Sequence, residues 1–100
     1  MTRLERDSLG QQRIPAGAYY GIQTHRAVQN FTISGLRMPP ELTRAYGLIK
    51  KAAAATNVHL KELAARKGRA IVRACDELLA GKFDAHVVVD VYQAGAGTSF

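Results

Sequence analysis

A short run of small and hydroxyl-bearing residues near the end of the sequence is the best candidate for chemistry. Gly95, Ala96 and Gly97 would let a ligand approach the backbone closely, because glycine lacks a side chain and alanine carries only a methyl group. Thr98 and Ser99 follow with hydroxyls and backbone N–H groups that can converge on an oxyanion. The run therefore suits a carboxylate or a phosphate, although its composition alone also fits a simple tight turn.

Other groups that could do chemistry are scattered. The run at 95–99 lacks the third glycine and the following helix of a dinucleotide fingerprint, and the lysine of a P-loop. His25, His59 and His86 have no metal-ligand spacing, and a single cysteine gives no zinc framework. We expect no metal site, a surface position for His59 and a core position for Cys75, which falls on an apolar stripe.

Short elements are predicted at both ends of the chain. The irregular, polar stretch from Arg3 to Ile14, with Gly10 as a breaker, predicts two short strands around a turn. A short helix is expected from about Thr24 to Asn30, with Thr24 as its N-cap. After Gly81, the β-branched content of residues 83–93 predicts an extended segment that leads into the run of small residues.

A long helix is predicted after the two prolines at 39 and 40. Proline suits the first helical position, and Glu41 complements the positive end of the helix dipole. Gly47 lies within this helix and indicates a close contact with another helix. Apolar and small residues recur at three- and four-residue intervals and define the expected buried stripe: Leu42, Ala45, Tyr46, Ile49, Ala52, Ala53, Thr56 and Leu60.

A second amphipathic helix is predicted to end at Gly81, a typical C-terminal cap. The break between the two helices, near Lys61 to Arg66, is weakly signalled. The second stripe consists of Ala70, Ile71, Ala74, Cys75, Leu78 and Leu79. Because neither alanine-rich stripe can be fully buried by the other alone, we expect both helices to pack against further helices.

Length and composition indicate one globular domain, residues 1–100, and the pattern along the chain makes it mostly α-helical. The sequence is 47% apolar and 22% charged, its start is charged rather than apolar, and no apolar run is long enough to cross a bilayer. One cysteine suits a reducing compartment, so we expect a cytoplasmic protein. Nine basic residues against two acidic ones lie between Arg37 and Arg73, which leaves a basic nucleic-acid-binding module as an alternative.

Three stretches taken together resemble the start of the aspartate ammonia-lyases, in the aspartase/fumarase superfamily. They are "RLERDSLGQQRIPAGAYYGIQTHRAVQNFTISG", then "PPEL" with "IKKAAAATN", then "VDVYQAGAGTS". Class II fumarases are the nearest alternative, but their last motif resembles W-Q-T-G-S-G-T-Q-S, whereas Tyr19-Tyr20-Gly21 and the run at 92–99 resemble the aspartase versions. The resemblance covers the whole sequence but only the N-terminal part of a family member.

The resemblance implies the fold and the reaction. It implies the N-terminal domain of the aspartase/fumarase fold, with short strands followed by helices and the central helical bundle absent. It implies deamination of L-aspartate to fumarate and ammonia, with no required cofactor, although a divalent metal activates some members. Partners would be the small dicarboxylate substrate and three further copies in a homotetramer, with neither nucleic acid nor membrane.

The resemblance also assigns site residues. Thr98, with Gly97 and Ser99, matches the loop that holds a substrate carboxylate. The general base of the family is a serine further along the sequence, so no catalytic residue is expected among residues 1–100, and these residues alone are predicted to be inactive. Arg26 matches a motif arginine that would contact an anion or form a structural ion pair. Departures occur at Ala64, where a capping residue is usual, and at Ala85 and His86.

Overall fold

In the computed structural model, which describes residues 1–100, the chain divides into two compact units. The first comprises Met1–Met38 with Ala85–Phe100, and the second comprises Pro39–Asp84. Two short strands and three helices form the regular structure, as the sequence predicts. No helix has both the length and the apolar character needed to cross a membrane.

The first unit begins with an antiparallel hairpin of β1 (Thr2–Asp7) and β2 (Gly10–Pro15). Its tight turn requires Gly10, whose φ of 115° disfavours other residues. In β1 the half-buried positions are Arg3, Glu5 and Asp7, while the residues between them are exposed. These inward charges explain why the sequence here lacks the usual apolar alternation of a strand. The core of the unit lies beside them and consists of Ile14, Ile22, Ala27 and Val89.

Helix α1 (Ile22–Asn30) begins two residues earlier than predicted. Its N-cap position is occupied by Gly21, so the prediction that Thr24 caps the helix is wrong. The N–H of Ile22, which has no acceptor within the helix, instead donates to the Glu5 carboxylate at 2.8 Å. A carboxylate from a neighbouring strand therefore does what a local serine or threonine usually does.

The second unit is a pair of helices, α2 (Pro40–His59) and α3 (Ala65–Leu79). Pro40 occupies the first turn of α2, as predicted, and α3 starts after Ala64, which makes no side-chain capping bond. Gly81 ends α3 with a φ of 81°, and the N–H groups of Gly81 and Lys82 donate back to Leu78 and Glu77. This is the Schellman arrangement that the glycine predicts.

The two helices contact each other through small residues. A Cβ on Gly47 would lie 3.2 Å from Leu79, and one on Gly68 would lie 2.2 Å from a methyl of Val58. The predicted close contact at Gly47 and the predicted core position of Cys75 are both confirmed.

The buried face of α2 is not the stripe predicted from the sequence. Its buried residues are Thr43, Gly47 and Ala54, whereas Ile49 is 64% exposed and Leu60 is 59% exposed. At 100° per residue, the predicted stripe points about 140° away from the buried face. Glycine and alanine permit a closer helix approach than leucine or isoleucine, so the smaller face packs and the larger apolar face stays exposed.

The stretch after Gly81 is not extended, contrary to the prediction. Asp84–His86 forms one turn of 3-10 helix, and the only strand-like pairing beyond it is a bridge between Arg37 and Asp90. The β-branched residues 87–89 fill space in the first unit, where Val89 is buried. Their burial, rather than a sheet, accounts for their residue types.

Candidate functional site

The run of small residues forms an irregular loop, residues 92–100, at the end of the first unit. Gly95 and Gly97 both have a φ of 86°, which strongly favours glycine. A Cβ at Gly95 would meet nothing within 4 Å, so conformation rather than close packing requires this glycine. The N–H of Gly95 donates to the side-chain oxygen of Gln93 at 3.2 Å.

Thr98 and Ser99 differ in how they are held. The Thr98 side chain is exposed, and its hydroxyl makes no hydrogen bond within the chain. Ser99 is half-buried, and its carbonyl accepts a hydrogen bond from the Thr24 hydroxyl at 3.3 Å. Thr24 therefore ties the end of the loop to α1, and the Thr98 hydroxyl is left available to a ligand.

A polar cleft of about 190 Å³ lies beside Ser99, and Arg26 is the only basic side chain that lines it. The Arg26 guanidinium is not free. Its Nε and one terminal nitrogen donate to the two oxygens of Asp7 at 2.8 and 3.0 Å, and it also donates to the carbonyl of Gly10. Of the two roles expected for Arg26, the structure supports the structural ion pair, which joins α1 to the hairpin.

Arg3, which forms a half-buried ion pair with Glu5 on the same strand, ties the hairpin to the next segment. Arg3 donates from Nε to Glu5 at 2.9 Å and to the carbonyls of Pro15, Ala16, Ala18 and Tyr20. The hydrogen bond from Arg3, and then that from the N–H of Ile22, lowers the pKa of Glu5. Arg26 likewise lowers the pKa of Asp7. One guanidinium therefore fixes residues 15–20 around the start of α1.

Asp90 is a structural determinant that the sequence prediction missed. Only 6% of it is exposed, yet its carboxylate accepts hydrogen bonds from Ser34, Gly35 and Tyr92. The N–H of Tyr92, followed by the donors of Ser34 and Gly35, outweighs burial and lowers the pKa of Asp90 to about 2. The sequence does contain a signal for this role, because Asp90 directly follows three valines. An acidic residue in such an apolar stretch is expected to be buried, and a buried carboxylate needs fixed donors.

His86 contacts the tyrosine pair on which the family resemblance partly rests. Its ring meets Tyr19 edge-on, with centroids 5.0 Å apart, and lies 6.5 Å from the ring of Tyr20. The departure at position 86 is therefore accommodated by an aromatic contact.

The remaining candidate groups do not assemble into a second site. No group of three or more His, Cys, Asp or Glu side chains is placed to hold a metal ion. His59 is exposed and Cys75 is buried, as predicted. Within the basic block, Lys51 pairs with Asp76 across the two helices of the second unit.

A family profile described as "Lyase" matches residues 10–100, nearly the whole chain. Among similar proteins, a class II fumarate hydratase of Pseudomonas aeruginosa is 53% identical over 98% of this chain. An aspartate ammonia-lyase of a Bacillus species is 47% identical over 97% of it. These relatives are enzymes, so the alternative of a nucleic-acid-binding module gains no support.

Solved structures show the same fold. A fumarate lyase of Brucella melitensis matches 99% of this chain at 51% identity with a TM-score of 0.92, and a class II fumarase of Schistosoma mansoni does so at 35% identity with a TM-score of 0.93. The chain spans about a fifth of the length of these relatives: 21% of both curated proteins, and 22% and 21% of the two solved chains. The strands and helices described above thus correspond to the N-terminal part of their fold.

Proposed function

Since the chain belongs to the lyase family of the aspartase/fumarase superfamily, we propose that residues 1–100 form the N-terminal part of a longer enzyme that acts on a four-carbon dicarboxylate. This enzyme removes a small group from the substrate and produces fumarate. The present residues contribute one wall of the site, the loop with Gly97, Thr98 and Ser99.

The single observation that supports this role is the exposed, unpaired hydroxyl of Thr98 beside two glycines in left-handed conformations. Elimination begins with loss of a proton next to a carboxylate, which places a second negative charge on that carboxylate. Hydrogen-bond donors fixed around the carboxylate stabilise this charge, and such stabilisation is usually the largest catalytic contribution. A hydroxyl already satisfied within the chain could not serve in this way.

We propose L-aspartate as the substrate and ammonia as the leaving group. The supporting residues are the Tyr19-Tyr20 pair and Ala94 and Ala96 of the loop, which resemble the aspartase motifs. Hydration of fumarate to malate is the second candidate, and the 53% identical fumarate hydratase supports it equally well. Both reactions share fumarate and pass through the same kind of doubly charged carboxylate, so the role proposed for Thr98 is the same in each.

The rest of the proposed machinery follows from the family resemblance. A serine base and the remaining carboxylate contacts would come from further along the polypeptide and from neighbouring copies in a homotetramer. No cofactor is required for this chemistry, a divalent metal would act as an activator at most, and the enzyme would work in the cytoplasm.

Ultraviolet absorbance of fumarate decides between the two reactions. The longer polypeptide that carries this segment is incubated with L-aspartate and, separately, with L-malate. We expect fumarate from L-aspartate. Fumarate from L-malate alone would make the protein a fumarase, and fumarate from neither would refute the proposed function.

A further inference from the structure

We infer that Asp90 is a positioning residue for the loop that carries Thr98; the inference rests on the proposed function of that loop. Asp90 is the only acidic side chain among the buried residues of the chain. Its carboxylate accepts no hydrogen bond from Gly97, Thr98 or Ser99, so any effect on a substrate must pass through the backbone of the loop.

The Asp90 carboxylate joins two separate segments of the first unit. One oxygen accepts the N–H groups of Ser34 and Gly35, each at 2.8 Å. The other accepts the N–H of Tyr92 at 2.9 Å and the hydroxyl of Ser34 at the same distance. The N–H of Val91 also donates to the carbonyl of Leu36 at 3.2 Å. The turn at 34–36 is thereby tied to the first residue of the loop.

Only a carboxylate can satisfy this arrangement. Every group that faces the two oxygens is a donor, and an ionised carboxylate is the side chain that accepts at both of its atoms. An asparagine of the same shape would present one oxygen and one NH₂ group. Its NH₂ group would face either the N–H groups of the turn or the N–H of Tyr92. The donors that it faced would lose their acceptor, and that segment would no longer be held.

The loop is held at its two ends. Asp90 fixes the N–H of Tyr92 at the start, and the Thr24 hydroxyl fixes the carbonyl of Ser99 at the end. Between them, Gly95 and Gly97 adopt the left-handed conformation and carry no side chain that could anchor the chain by itself. A displacement at Tyr92 is therefore expected to reach Thr98, and an error of about 1 Å in a substrate contact can cost on the order of 100-fold in rate.

Asp90→Asn tests this inference in two measurements. Asp76→Asn in α3, which weakens only the exposed ion pair with Lys51, is the control. Amide hydrogen exchange of residues 1–100 should show faster exchange at Tyr92 or at Ser34 and Gly35 in Asp90→Asn only. In the longer enzyme, kcat/KM for the dicarboxylate should fall about 10- to 100-fold at a temperature where the variant is fully folded. Ser34→Ala, which removes one hydroxyl and no backbone donor, should have a smaller effect.

The possible failures are distinguishable. A purely structural role would lower the melting temperature of Asp90→Asn and leave kcat and KM of the folded enzyme unchanged, and that result would overturn the inference. Unchanged exchange at all three amides would overturn it as well. A wild-type enzyme that makes no fumarate from L-aspartate or L-malate would instead refute the proposed function, and with it the role assigned to Asp90.

Discussion

The imidazole of His86 packs edge-on against the ring of Tyr19 and accepts the Tyr19 N–H at Nδ1, 3.3 Å away. The two residues are 67 positions apart in the sequence. They link the segment before α1 to the segment that leads into the loop at 92–100. A residue that departs from the family pattern thus makes a long-range contact within the first unit.

His86→Ala should lower the free energy of unfolding by about 1–2 kcal/mol, because it removes an aromatic contact and a hydrogen-bond acceptor together. His86→Phe should cost less, since it keeps the ring and loses only the acceptor. Urea unfolding of the chain and both variants provides the measurement. Equal losses in the two variants would show that the ring contact contributes nothing.

Thr98→Val in the longer enzyme should lower kcat about 10²- to 10³-fold, the usual cost of removing one donor to a developing negative charge. Valine keeps the shape of threonine, so the circular dichroism spectrum should not change. Thr98→Ser, which retains a hydroxyl, should keep most of the activity. Near-normal turnover in Thr98→Val would make the loop a structural turn.

Acid should destabilise the first unit through Asp90. Its pKa is about 2 in the folded chain against an ordinary value of 3.8. A lowered pKa means that its stabilising contribution is complete above pH 3.8 and is lost as the pH falls towards 2. The free energy of unfolding should therefore decrease over this range, and less steeply in Asp90→Asn. Glu5 and Asp7, whose pKa values are also lowered, should supply the slope that remains.

Gly68→Ala should destabilise the helix pair, because the added Cβ would lie 2.2 Å from a methyl of Val58. The stiff valine cannot move away easily, and overpacking of this kind costs about 1–3 kcal/mol. This exceeds the gain of roughly 1 kcal/mol from replacing a helical glycine. Gly17→Ala, which meets nothing within 4 Å, is the control and should be close to neutral in thermal melts. A Gly68→Ala variant as stable as the wild type would show that the contact with Val58 does not limit how closely the two helices pack.

Residues 1–100 alone should produce no fumarate and should self-associate through the exposed apolar face of α2. Leu42 and Ile49 of α2 are exposed there, as is Leu60 directly after its end, and apolar patches of this kind tend to find partners. Ile49→Glu should reduce the mass measured by sedimentation velocity without loss of helicity. Arg44→Gln, which changes the net charge of the same helix by the same single unit, should not. A wild-type chain that stays monomeric at high concentration would contradict this expectation.

Local chemistry was sufficient to predict much of this protein from its sequence. The hairpin, the start of α2 at Pro40 and the end of α3 at Gly81 depend on residues within one turn of each feature, so the sequence shows them directly. The family can likewise be identified from the sequence, because its motifs are contiguous stretches. The loop with Thr98 was found for the same reason.

Only the tertiary structure shows which side chains pack between these elements, cap them and donate to the buried carboxylate. The face of α2 that packs is set by how closely Gly47 and Gly68 let two helices approach, and no periodicity in a single helix contains that information. The cap of α1 comes from Glu5 on a strand, and two of the three residues that donate to Asp90, Ser34 and Gly35, lie more than fifty positions earlier. A buried charge needs several donors to converge on it, and donors that are distant in the sequence reach it only once the chain has folded.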